Sequence, residues 1–126
     1  MPVRGIGVDV VQVSRIAETL ERFGERMLKR LFTDSERAYC QGHKDPLPHL
    51  AARFAAKEAT SKALGTGMSG GVGWTQIEVN QPGGRQPTLT LTGAAHQRFE
   101  ALGCTASYLT LAHDGGIAVA CVVIEG

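Results

Sequence analysis

Arg53-Phe-Ala-Ala-Lys-Glu-Ala-Thr-Ser-Lys-Ala-Leu-Gly-Thr-Gly67 is an alanine-rich stretch closed by glycines. At about 100° per residue, Leu50, Ala51, Phe54 and Ala55 fall within one arc of roughly 140°, the face that a core-packed helix buries. Glu58 lands in the middle of that arc with Lys62 beside it, while Arg53 and Lys57 project from a sector roughly 100° or more away. An unpartnered carboxylate in a buried arc is costly. The helix therefore carries a site, and the rest of the chain must supply its other parts.

A chain of 126 residues is expected to form one domain, residues 1–126, with a real core but little room to enclose a ligand unaided. The net charge is +1 and no acidic or basic tail is present, so charge argues neither for nor against nucleic acid. No apolar run approaches the ~20 residues of a membrane span, and no signal peptide is expected before Val3. Cys40, Cys104 and Cys121 form no CxxC pair. They read as thiols of a reducing cytoplasm, not as a disulfide frame or zinc site.

From Val3 to Val13 the residues alternate, with Ile6, Val8 and Val10 facing one way and Gly5, Gly7 and Asp9 the other. That second face is bare enough for another backbone or a ligand to approach. Ser14 is a plausible N-cap for a helix to about Leu31, with Ile16, Leu20, Phe23 and Met27 as its apolar stripe. Arg15, Arg22, Arg26 and Lys29 gather within roughly 60° beside an acidic sector of Glu18, Glu21 and Glu25. Such a basic ridge suits an acidic partner, though a solvated face with a chance stripe has the same pattern.

Thr33-Asp-Ser-Glu36 is a capping box opening a short helix through about Gln41. A loop holding His43 and Lys44 leads to the long helix, Pro48 to Leu64, with Gly65 as its stop. The glycine-rich loop to Gly73 is no P-loop, because it follows a helix and lacks a closing Gly-Lys-Ser/Thr. Strands are expected at Trp74–Asn80 and Thr88–Leu91 around a Gln81–Gly84 turn, then a helix from Gly93 to Leu102. Strands at Ser107–Ala112 and Ile117–Ile124 are joined by His113-Asp-Gly-Gly116. The class is α+β, with helices on a mainly antiparallel sheet.

Asp9 and Glu58 are the carboxylates set in apolar or glycine surroundings. If Asp9 points toward the long helix, the two can share a magnesium ion, which takes one or two protein carboxylates and fills its shell with water and phosphate. Lys62, Arg53, Lys44 and His43 could add positive charge for an anionic ligand. The plain alternatives are an Asp9 ending an edge strand in solvent, and a Glu58–Lys62 i,i+4 pair worth roughly a few tenths of a kcal/mol. The residues alone reach a magnesium-dependent phosphate-ester site and name no substrate.

Gly5-Ile-Gly-Val-Asp9, Phe32-Thr-Asp-Ser-Glu36, Arg53-Phe-Ala-Ala-Lys-Glu-Ala59 with Ser61-Lys-Ala-Leu-Gly-Thr-Gly67, and Ala120-Cys-Val-Val-Ile-Glu125 resemble the holo-[acyl-carrier-protein] synthase family, the small bacterial 4′-phosphopantetheinyl transferases. The resemblance spans essentially the whole chain. It implies transfer of 4′-phosphopantetheine from coenzyme A to a serine of apo acyl carrier protein, with release of adenosine 3′,5′-bisphosphate, in fatty acid biosynthesis. Asp9 and Glu58 match the family's magnesium ligands, and Lys62 the lysine beside the coenzyme's pyrophosphate. Ser61, Gly65, Thr66 and His113 match positions near the coenzyme, and Lys44 and Arg53 resemble its phosphate contacts. Arg15, Arg22 and Arg26 match the basic helix that docks the carrier protein. The resemblance also implies a homotrimer with sites between subunits, and neither nucleic acid nor a membrane is expected as a partner.

This chain departs from the family at Leu109-Thr-Leu-Ala-His113, where many members read Ser-x-Thr/Ser-His, and at Arg85-Gln-Pro87, where they read Gly-Lys-Pro. The proton acceptor is Glu58 or a hydroxide on the metal. A non-catalytic coenzyme A-binding module and a magnesium-dependent pyrophosphohydrolase are the alternatives from other classes.

Overall fold

The computed structural model describes residues 2–126. Its elements are β1 (Val3–Gln12), α1 (Val13–Leu31), α2 (Asp34–Gln41), α3 (Leu47–Leu64), β2 (Ile77–Asn80), β3 (Thr88–Leu91), α4 (Gly93–Ala101), β4 (Ala106–Asp114) and β5 (Ile117–Glu125). Every strand pairing is antiparallel, in a three-stranded sheet ordered β1-β5-β4 and a separate β2-β3 hairpin. The expected α+β class is what forms.

The core lies where α3 crosses the three-stranded sheet. On β5, Ala118, Ala120, Val122 and Ile124 are buried beneath it. Gly5, Gly7 and Asp9 stand opposite Ile124, Val122 and Ala120 and so share that inner face. A methyl group at Gly5 or Gly7 would run into the carbonyl oxygens of Ala63 and Ala59. Glycine is therefore required there by the close approach of the helix backbone. The apolar face of β1 is the one turned outward, with Ile6, Val8 and Val10 65%, 54% and 59% exposed.

Helix α1 differs from the sequence expectation. It starts at Val13, and neither Ser14 nor the N-cap residue Gln12 supplies a side-chain cap. Gly24, at φ 68° and ψ −154°, breaks it into two segments. Leu20 and Met27 still pack against the core, but Phe23 stands 53% exposed with the Arg22 guanidinium 5.3 Å from its ring centroid.

Elsewhere the differences are smaller. Trp74–Gln76 is a 3₁₀ turn, so β2 starts only at Ile77. His113 and Asp114 belong to β4, because Gly115 and Gly116, both at positive φ, suffice for a two-residue hairpin turn. The Thr33–Glu36 capping box and the left-handed Gly65 cap form as the sequence predicts.

Candidate active site

Asp9 lies inside β1, not at its end, and its side chain is 17% exposed. Lys62 reaches back from the last turn of α3 and donates to Asp9 Oδ1 at 2.9 Å and to the Val8 carbonyl at 3.2 Å. Glu58, one turn earlier on α3, is half-buried. Burial pushes its carboxyl above the usual range and Asp9 adds to the rise, while Lys62 and Arg15 oppose it. The two carboxylates and Lys62 thus form one electrostatic unit between β1 and α3.

That donor set fits a magnesium ion. Asp9 and Glu58 offer two hard oxygen ligands on neighbouring elements, and burial and mutual repulsion, which raise the Glu58 carboxyl, are costs that a divalent cation would relieve. Among the described residues, no group of three or more His, Cys, Asp or Glu side chains offers a fuller protein cage.

The end of α3 and the glycine-rich loop adjoin this unit. Ser61 is buried and donates its hydroxyl to the Glu58 carbonyl at 2.7 Å. Gly65 takes φ 77°, which turns the chain so that the Thr66 and Gly67 N–H groups both donate to the Ser61 carbonyl. The Thr66 hydroxyl donates to the Gly67 carbonyl at 2.8 Å. Glu58, Ser61, Lys62, Gly65 and Thr66 therefore sit on one helix end and its exit turn.

Arg53 occupies different ground from a free phosphate ligand. It is 1% exposed, stacks over Tyr39 at 4.1 Å and donates to Gln81 Oε1 at 3.0 Å, with a longer bond to the His49 carbonyl. Its Nε has no partner among the described residues, and it lines a cavity of about 140 Å³ with His49, Gln81 and His113. His113 is exposed, and its ring meets His49 edge-on at 5.3 Å. His43 stacks on His49 at 3.7 Å. Lys44 is exposed in the α2–α3 loop. Arg53, His43, His49 and His113 thus form a second cluster around the start of α3, with Lys44 exposed in the adjoining loop.

The basic ridge changes shape at the Gly24 break. Arg15 lies beside the carboxylates, 5.9 Å from the Phe54 ring centroid, and Phe54 stacks on Trp74 at 5.0 Å. Arg22 and Arg26 line a groove of about 390 Å³ with Phe23, Met27 and Arg30. Lys29, which an unbroken helix would put on the ridge, does not line it.

Two features escape the sequence reading. His49 joins the second cluster although its sequence position carries no motif. The other feature is a fully buried ion pair. Lys57 Nζ donates to Glu36 Oε1 at 2.7 Å, to the Ile77 carbonyl at 2.6 Å and to the Trp74 carbonyl at 3.0 Å. Glu36 also accepts from the Thr33 and Val79 N–H groups at 2.9 and 2.8 Å. Burial pulls the Lys57 ammonium below the ordinary lysine range, and Glu36 works against that.

The model of the 4′-phosphopantetheinyl transferase superfamily matches residues 5–122. The chain belongs to that superfamily. A relative from Koribacter versatilis, a holo-[acyl-carrier-protein] synthase, is 46% identical over 121 residues, covering 96% of this chain and 97% of its own. Among solved structures of this transferase family, the holo-[acyl-carrier-protein] synthase of Neisseria meningitidis superposes with a TM-score of 0.90 at 31% identity, covering 99% and 100% of the two chains. The Helicobacter pylori enzyme in complex with coenzyme A gives a TM-score of 0.83 at 30% identity, covering 95% and 99%.

Proposed function

We infer that the chain transfers 4′-phosphopantetheine from coenzyme A to a serine hydroxyl of apo acyl carrier protein, giving holo carrier protein and adenosine 3′,5′-bisphosphate. The observation that carries this reading is the meeting of Asp9, Glu58 and Lys62 between β1 and the last turns of α3. Family membership supplies the reaction, and this unit supplies its chemistry.

Asp9 and Glu58 would hold magnesium, which when bound neutralises charge on the coenzyme's pyrophosphate. The serine oxygen attacks the β-phosphorus in line, and the bond to the adenosine bisphosphate oxygen breaks. Glu58, on the helix face beside the site, would accept the serine proton. Lys62 is half-exposed and can swing from Asp9 to the leaving phosphate, whose negative charge it stabilises. Ser61, Gly65 and Thr66 shape the exit turn against the coenzyme. His113 at the second cluster and Lys44 in the adjoining loop would meet a further phosphate, with Arg53 buried behind them.

Arg15, Arg22 and Arg26 dock the acidic carrier protein, with Arg15 nearest the carboxylates so that the serine is delivered to them. Two further copies of the chain cover the outward apolar face of β1, giving a homotrimer with sites between subunits. The setting is fatty acid biosynthesis in the cytoplasm. No helix of the described residues is long and apolar enough to cross a membrane.

The test is the mass of apo carrier protein incubated with the chain and coenzyme A, with and without magnesium. The expected result is a gain of about 340 Da, the phosphopantetheine increment, only with magnesium. Asp9→Ala and Glu58→Gln should remain folded and lose the activity by about 100-fold or more. Coenzyme A cleavage without an acceptor, or binding without a mass gain, would overturn the transferase reading.

A further inference from the structure

The buried Lys57–Glu36 pair has no part in the reaction as derived above, and stability alone does not explain it. Two charges taken out of water recover that loss only with good geometry and further hydrogen bonds, and apolar side chains of similar volume are often at least as stable. What an ammonium adds is direction. Its three N–H donors here meet the Glu36 carboxylate at the start of α2 and the Trp74 and Ile77 carbonyls at the two ends of the 3₁₀ turn that joins the glycine-rich loop to β2.

The Trp74 bond has a topological effect. The chain leaves Lys57 along α3, turns at Gly65, runs through the glycine-rich loop and returns to Lys57 Nζ at Trp74. Glu58, Ser61, Lys62, Gly65 and Thr66 all lie inside the loop so closed. We propose that Lys57, fixed by Glu36, is a positioning residue that ties both ends of the coenzyme-bearing segment together.

The segment needs such a tie. Gly65, Gly67, Gly70 and Gly71 are all at positive φ, a run of backbone with large conformational freedom when unrestrained. A loop held at one end must be ordered when it closes on a ligand, and that ordering subtracts from affinity. Held at both ends, with Val72 buried and the Val72 N–H donating to the Ser69 carbonyl, it is ordered beforehand. Lys57 touches no candidate ligand position itself. Its effect passes through the loop and through the rotational setting of α3, one residue before Glu58.

The proposal rests on the coenzyme reading above. The variants are Lys57→Met and the charge-free pair Lys57→Met/Glu36→Gln, in which the amide oxygen replacing the Glu36 carboxylate still accepts from the Thr33 or Val79 N–H. In a folded variant, KM for coenzyme A should rise at least tenfold, KM for carrier protein should stay within twofold, and amides of residues 66–73 should exchange faster. A folded variant with coenzyme KM within twofold of the parent overturns the proposal, and so does a parallel rise in both KM values.

If neither variant folds, hydrogen exchange on the unaltered chain decides. The hydrogen-bonded loop amides of Thr66, Gly67 and Val72 should exchange only together with those of Ile77 and Val79, with the same denaturant dependence. Independent local opening of the loop overturns the tie. If the unaltered chain transfers no phosphopantetheine, the coenzyme reading fails, and the exchange comparison alone judges the tie.

Discussion

Gly7 has room for no side chain, because the Ala59 carbonyl oxygen of α3 sits where a Cβ would go. Gly7→Ala should therefore lift the helix from the strand and cost about 3 kcal/mol or more, read as a drop in denaturation midpoint. An equivalent change at exposed Gly70, where a Cβ would meet nothing, costs only the strain of its positive φ. In the sequence, Asp9 read alone is a carboxylate at the end of an edge strand in solvent, and it gained a second use only because Glu58 offered another carboxylate in apolar surroundings. Lys57 was not legible there. On an ideal wheel it falls outside the apolar arc, and its partner Glu36 already has an evident task in the capping box, which it performs as well.

His49 shows the same limit, since a histidine becomes informative only once His43 and His113 are seen against it. Burial lowers its proton affinity below the ordinary value of 6.5, and His43, His113 and Arg53 lower it further while Asp45 opposes them. The unfolded chain then binds this proton more tightly than the folded one. The His49 contribution is whole above pH 6.5 and is lost as pH falls through the lower folded value. His49→Phe should flatten that part of the stability–pH curve while leaving the stability above neutral pH nearly unchanged, as followed by thermal melts between about pH 5 and 8.

At the scale of elements, α1 is the instructive case. Periodicity placed Arg15, Arg22, Arg26 and Lys29 on one ridge, an inference that requires an unbroken helix. A glycine is the one residue that lets the chain break at Gly24 without a steric penalty, and the angular arithmetic fails beyond it. Arg22 and Arg26 nevertheless stay together because the break folds both segments around one groove, and Arg30 replaces Lys29 there. Reversing Arg15 and Arg22 to glutamate should raise KM for carrier protein by about 10-fold or more and leave KM for coenzyme A within about twofold. Steady-state kinetics with each substrate varied separately checks this, and an equal loss for both would place the ridge in coenzyme binding instead. The strands and the two hairpins, β2-β3 and β4-β5, were legible from period-two alternation and turn residues, but the pairing of β1 with β5 was not, since the two lie at opposite ends of the sequence.

For the whole molecule, α3 is the hub. It packs on β1 and β5, ties to α2 and β2 through Lys57, and carries half of the carboxylate pair. Because its backbone lies directly on the glycine face of β1, Ile6, Val8 and Val10 on the opposite face are turned outward, while Val11 stays in the core. Side chains spent on the exterior in this way contribute little to holding a lone copy together, however closely the backbone of β1 packs under α3. If further copies cover that face, assembly stabilises the folded chain by mass action, and the melting temperature becomes a function of dilution. It should rise by several degrees between about 1 and 100 μM chain, and Val8→Lys should both abolish that dependence and yield a single-copy species by sedimentation. A melting temperature independent of concentration would mean that each chain stands alone with an oily strand in water. Otherwise this polypeptide has a working range of concentrations, below which it comes apart before it denatures.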